Sequence, residues 1–169
     1  MPALPADGRE SVPSQDEAHQ RIRDLLGAVT AAVLEHQPGL TSFEDHRPQR
    51  DRSSGGSWRG LETCCHVSAL LVSSGVPAED ADGPRRLLGT VDAVAAARGM
   101  DRGGERESYA MRAGRWTGGD GDVLEVIVGV RVAVRAISAP FLPGSLDPIA
   151  STSPTSPLSP VTPAPRLVR

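Results

Sequence analysis

The chain has 169 residues, room for one domain and scarcely for two. Its apolar share of 38% is low for a chain folded throughout, and aromatics reach only 3%, so a core has to be built from Val, Leu, Ile and Ala. The net charge is −3, and all 18 basic residues are Arg, scattered among 21 acids without a basic run; a nucleic-acid-binding face is not indicated.

Residues 1–13 hold three prolines and no periodicity and read as a flexible lead-in. Ser14-Gln15-Asp16-Glu17 then fits a capping box, and Ile22, Leu25, Leu26, Val29 and Val33 follow at helical spacing until Pro38-Gly39. The expectation is a helix over 15–36. Leu40 to Arg47 reads as a short strand. Pro48 to Gly60 is polar and rich in Ser and Gly, and reads as a loop. Leu61 to Ser73 reads as one strand, with Cys65, Val67, Ala69 and Leu71 pointing inward.

Gly75-Val76-Pro77 breaks that strand. Asp82 is a candidate N-cap, Pro84 suits a first turn, and Leu87, Leu88, Val91, Val94 and Ala95 line one face of a second helix over 83–98, closed by Arg98-Gly99. Glu107 to Thr117 reads as a strand with Tyr109, Met111, Ala113 and Arg115 alternating. Gly118 to Asp122 is a turn signal. From Leu124 to Val134 every second residue is Leu or Val, too long a run for one strand, so a bend or turn is expected near Gly129.

Of the 25 residues from Ser145 onward, 6 are Pro and 8 are Ser or Thr, and Pro154, Pro157, Pro160 and Pro163 recur every third residue. Such a segment cannot bury enough to fold, so 144–169 reads as a disordered tail. The foldable unit is then 14–143: an α+β domain with two amphipathic helices packed on a mostly antiparallel sheet.

Reactive groups are sparse. Cys64-Cys65-His66, with His46 and Asp45, offers thiol and imidazole ligands for Zn²⁺, but the spacing matches no standard ligand pattern and adjacent strand residues point apart. A small hydrolase or thiol enzyme could use Cys65 or Ser57 with a histidine. Yet His66 leans away from Cys65, and His19, His36 or His46 could join only through tertiary placement. Gly55-Gly56-Ser57-Trp58-Arg59 fails the nucleophile-elbow pattern because Arg59 stands where Gly is needed. Gly118 to Leu124 approaches a Ca²⁺-binding nonapeptide, but Val123 stands at the ligand position.

No catalytic residue, cofactor or metal is therefore assigned, and a non-catalytic role in protein contact is favoured over enzyme or zinc-module alternatives. The contact runs through the open sheet face or the 48–60 loop, where Trp58 with Arg52 and Arg59 would anchor an unknown protein partner. No membrane span is expected, because no apolar run approaches about 18 residues. Met1 to Glu10 shows neither an apolar signal core nor a lipid-attachment cysteine, so the chain as written is expected in the cytoplasm; an upstream start would make it exported or anchored.

The run Leu40-Thr41-Ser42-Phe43-Glu44-Asp45-His46-Arg47, the Arg/Asp/Ser/Gly segment after it, Arg98-Gly99 and the closing Ile137-Ser138-Ala139-Pro140 together resemble actinobacterial putative lipoproteins of the LppA-like group over 14–143. That resemblance implies an envelope-associated protein and carries no activity or catalytic residues. The group's lipid-attachment cysteine and its usual cysteines in the loop and last strand are not matched here: Ser53-Ser54-Gly55 and Ser138-Ala139-Pro140 stand at those places.

Overall fold

The computed structural model describes residues 12–108 and 110–144. Tyr109, most of the lead-in and the Pro-rich tail lie outside the described residues. The chain runs α1 (Gln15–His36), β1 (Leu40–Arg47), β2 (Arg50–Trp58), β3 (Leu61–Val67), β4 (Leu70–Gly75), α2 (Gly83–Ala96), β5 (Met100–Ser108), β6 (Met111–Gly118), β7 (Val123–Val128) and β8 (Val132–Ile137). The eight strands form one sheet, ordered β1-β4-β8-β7-β6-β5, with the β2–β3 hairpin joined through β3 to β8. Every registered strand pair is antiparallel. The fold is α+β, as the sequence pattern indicates.

The helices form where the apolar stripes fall. The Ser14 hydroxyl accepts from Glu17 N at 3.2 Å, and the Glu17 carboxylate accepts from Ser14 N at 2.8 Å, so both halves of the capping box are made. Ile22, Leu25, Leu26, Val29 and Val33 of α1 meet Leu87, Leu88, Val91 and Ala95 of α2. Below them lie Trp116, Leu124, Val126, Val128, Val132, Val134 and Ala136 of the sheet. The valine alternation is the inner face of β7 and β8, and the chain reverses between them at residues 129–131, where Gly129 N donates to Arg131 O.

Several sequence expectations need correction. The segment 48–60 is not a loop. Arg50–Trp58 is the outer arm of a hairpin closed by Arg59 and Gly60, both at positive φ (49° and 82°), the backbone of a two-residue hairpin turn. Nearly every side chain of β2 faces solvent, so no apolar alternation marks it. The strand expected over 61–73 is two strands, β3 and β4, parted at Ser68 and Ala69. The strand expected over 107–117 is the end of β5, a turn, and β6; β5 was hidden because only Met100 of its nine residues is buried. In β6 the buried positions are Gly114 and Trp116, out of phase with the Met111, Ala113 and Arg115 set. Asp82 precedes α2 but makes no side-chain cap, its carboxylate pairing with Arg85 at 3.3 Å, and α2 ends at Ala96.

Three buried serines repair the seams of this sheet. Ser68 Oγ accepts from Ala136 N, Ser73 Oγ from Val132 N, and Ser138 Oγ from His66 N, each at 2.9 Å. They satisfy backbone donors where β3 and β4 diverge from β8 and the ladder lapses. At the end of β4, Gly75 (φ 83°) abuts Gly39 so closely that a Cβ on Gly75 would stand 2.1 Å from the Gly39 carbonyl oxygen, so only glycine fits there.

Candidate functional site

Three elements bring reactive side chains together beside the first half of α1. Antiparallel pairing sets Asp51 of β2 directly opposite His66 of β3, so their side chains share one face. That face lies under His19 of α1. An ionised carboxylate can only accept, so the imidazoles donate. His66 Nδ1 donates to Asp51 Oδ1 at 2.7 Å, and His19 Nε2 donates to the two oxygens at 3.0 and 3.1 Å. Gln15 Nε2 adds a bond to Oδ2 at 2.9 Å. The imidazole rings lie 3.9 Å apart at 34°, and Phe141 meets His19 edge-on at 5.8 Å.

The site is closed on one side and open on the other. The His66 side chain is only 3% exposed, whereas His19 and Asp51 keep 24% and 29%. Ser138 fixes the His66 backbone from both directions, accepting from its N–H and donating its own N–H to the His66 carbonyl at 2.8 Å. Partial burial pushes the Asp51 carboxyl up, but the hydrogen bond from His66 and the charge and hydrogen bond of His19 outweigh it and hold the group below its ordinary value. The donor atoms of His19, Asp51 and His66 all lie within 4.8 Å of one another. Two imidazole nitrogens and a carboxylate are a donor set that suits borderline divalent metals, Zn²⁺ among them.

The larger hollows among the described residues lie away from this cluster. A groove of 490 Å³ runs along α1 past Pro13, Glu17, Arg21, Asp24 and Ala139, and a depression of 390 Å³ lies over β5, β6 and β7; neither is lined by His19, Asp51 or His66.

No family model matches the chain, and no curated protein does. A solved structure is similar: a DUF4853 family protein from Actinomyces odontolyticus, in a crystal structure at 2.65 Å resolution. It aligns with 16% sequence identity and a TM-score of 0.60, over 82% of this chain and 74% of that one. At that identity the likeness is one of fold.

The sequence candidates scatter. Cys65 turns to the face opposite His66 and lines an open depression with Arg52, Ile137, Ser138 and Pro140. Cys64 shares the His66 face but stands outside the three-residue cluster; burial, then Glu62, Asp51 and Cys65, push its thiol up, which disfavours the thiolate a ligand or nucleophile needs. His46 and Asp45 lie exposed on β1. His36 caps the end of α1 through Ala32 O at 2.9 Å. Ser57 faces solvent near the hairpin tip, opposite Glu62. Asp122, in the nonapeptide-like turn, is engaged by Arg21 at 3.0 and 3.1 Å and by Ala139 N at 2.6 Å, which gives it a structural task. Trp58 is half-buried with the Arg59 guanidinium 4.4 Å above its ring, while Arg52 sits toward the other end of the hairpin, opposite Cys65.

Sequence reasoning names His19 only as one of three histidines that tertiary placement could recruit, and does not single out Asp51. His19 is joined to His66 only by tertiary placement, and Asp51 lies in a segment whose composition reads as a loop.

Proposed function

We propose that this chain is a non-catalytic, envelope-associated contact domain of the lipoprotein-like kind, engaging a protein partner across the sheet face that the helices leave uncovered. The observation that carries the reading is the make-up of that face. Ala113, Ile127 and Ala133 pair side by side across β6, β7 and β8, and Ile127 is 40% exposed. Beside them Glu125 is held between Arg115 (3.4 Å) and Arg135 (Nε at 3.2 Å). A low apolar strip flanked by a fixed charge ladder suits an extended protein surface, and the 390 Å³ depression deepens it between Arg106 and Ile127. The hairpin residues Trp58, Arg59 and Arg52 give the domain a second contact edge. The envelope assignment rests on the LppA-like layout of the sequence; the likeness to the DUF4853 protein supports the fold alone.

The test is site-specific photo-crosslinking in the native host, followed by fractionation. A photoreactive residue at Ile127 is expected to give a discrete adduct in the envelope fraction, abolished by Arg115→Glu, while the same residue at exposed Ala93 of α2 gives none. Adducts from Ala93 alone, or none from Ile127, overturn the reading.

A further inference from the structure

Beyond that contact role, we propose that His19, Asp51 and His66 form a zinc site that fastens the β2–β3 hairpin to α1.

The ligand atoms come from three separate elements and converge, and Zn²⁺ would take the place of the protons that His66 Nδ1 and His19 Nε2 give to Asp51 in the metal-free chain, the imidazoles binding as neutral rings. Zn²⁺ bonds of about 2.0–2.2 Å in tetrahedral array set neighbouring ligand atoms about 3.3 Å apart. The separations here are 2.7 Å for His66 Nδ1 and 3.0 Å for His19 Nε2, both to Asp51 Oδ1, with all the ligand atoms within 4.8 Å of one another, so a readjustment of the three side chains brings them to the spacing the ion needs. The His66 ring is buried and its backbone is bonded at both its N–H and its carbonyl by Ser138. His19 and Asp51 remain half-exposed, giving the ion a way in and leaving its fourth position to water. Gln15, bonded to Asp51 Oδ2, orients the carboxylate as outer partners of metal ligands do. Two imidazoles disfavour the hard ions Mg²⁺ and Ca²⁺, which take oxygen ligands.

The topology gives the ion a task. The hairpin reaches the main sheet through one registered pair, Val67 with Ile137, through the bridge of Cys64 with Phe141 and through the two hydrogen bonds of His66 with Ser138, all of them on its inner arm β3. Elsewhere the hairpin's outer arm faces solvent. A metal bound by one residue of α1, one of β2 and one of β3 locks that arm to the helix that anchors the core.

The test uses the full chain, stripped with chelator and titrated calorimetrically with ZnCl₂ and with MgCl₂. Expected is uptake of about one Zn²⁺ per chain and no Mg²⁺ response. His19→Gln removes a ligand from the helix surface without opening a core cavity, and Asp51→Asn keeps the side-chain shape; each is expected to weaken Zn²⁺ binding about tenfold or more. His36→Gln and His46→Gln are expected to bind as the wild type does. Hydrogen exchange gives the second readout: Zn²⁺ slows the amides of residues 50–67 in the wild type and leaves those of Asp51→Asn unchanged. The proposal is overturned by absence of stoichiometric binding, by equal losses in His36→Gln or His46→Gln, or by binding that leaves hairpin exchange untouched.

Discussion

The indole N–H of Trp116 donates to Asp92 Oδ1 at 2.7 Å, tying β6 to α2. Asp92 uses its other oxygen for Arg102 of β5, also at 2.7 Å, and the Arg102 guanidinium lies 5.7 Å from the Trp116 ring centre. Trp116 is 1% exposed, while the Asp92 side chain that accepts its N–H keeps 36% exposure at the rim of the core. Asp92→Ala is expected to lower stability by about 1.5–3 kcal/mol, the net contribution of a hydrogen bond to a charged acceptor, and Asp92→Asn by less because an acceptor remains. Gly114 lies under the same ring, where a Cβ would stand 2.4 Å from the indole; Gly114→Ala is expected to cost about 1–3 kcal/mol by overpacking. Urea unfolding midpoints at constant m-value check both. An Asp92→Ala midpoint equal to the wild type's would show that the bond contributes nothing.

What the sequence reveals of this molecule follows burial. Where one side of an element faces the core, the pattern is explicit: the α1 stripe from Ile22 to Val33, the α2 stripe from Leu87 to Ala95, and the alternation from Leu124 to Val134 all appear as elements where expected. Where neither side is buried the signal vanishes. Arg50–Trp58 and Met100–Ser108 are strands through their ladder bonds and carry charges and glycines outward, as exposed strands do to discourage further pairing. The candidate site was hidden for the same reason. Counting back from the Arg59–Gly60 turn brings Asp51 within two positions of His66, and the irregularity between Ser53 and Ser57 supplies the offset. Reading that turn as a hairpin was the available clue to Asp51. For His19 there was none, since nothing local to α1 says which strand it will cover.

Asp51 makes stability depend on pH in a definite direction. Its carboxyl is held low in the folded chain by His66 and His19 against the push of burial, so the folded state binds fewer protons there than the unfolded state. The stabilisation is complete above the unfolded carboxylate value and is lost as pH falls through the lower folded value, a window beginning near about pH 4. Glu17, Asp80 and Glu107 are also held low, by Ser14, Arg86 and Arg112 respectively, and add to the acid slope. Asp51→Asn removes one contributor and leaves those three. The expected outcome is a shallower loss of thermal stability between about pH 5 and pH 2 in the variant than in the wild type. Parallel pH profiles would show that the His19–Asp51–His66 contacts are not maintained in solution.

The thiols offer the most direct check on chemistry at this end of the sheet. Cys64 is partly buried, and burial together with Glu62, Asp51 and Cys65 raises its pKa, so its thiolate fraction at neutral pH is smaller than that of free cysteine. Cys65, 6% exposed, is shielded by its setting. Since the thiolate is the reactive form, iodoacetamide at pH 7 is expected to label both residues more slowly than it labels free cysteine. Cys64 labelling should continue to climb above the pH at which the free thiol has levelled off. Mass spectrometry of Cys64→Ser and Cys65→Ser proteins assigns the sites. Fast labelling of a single cysteine at neutral pH, removed by Cys65→Ser and dependent on a histidine, would instead require an activated nucleophile and would return the thiol-enzyme reading to contention.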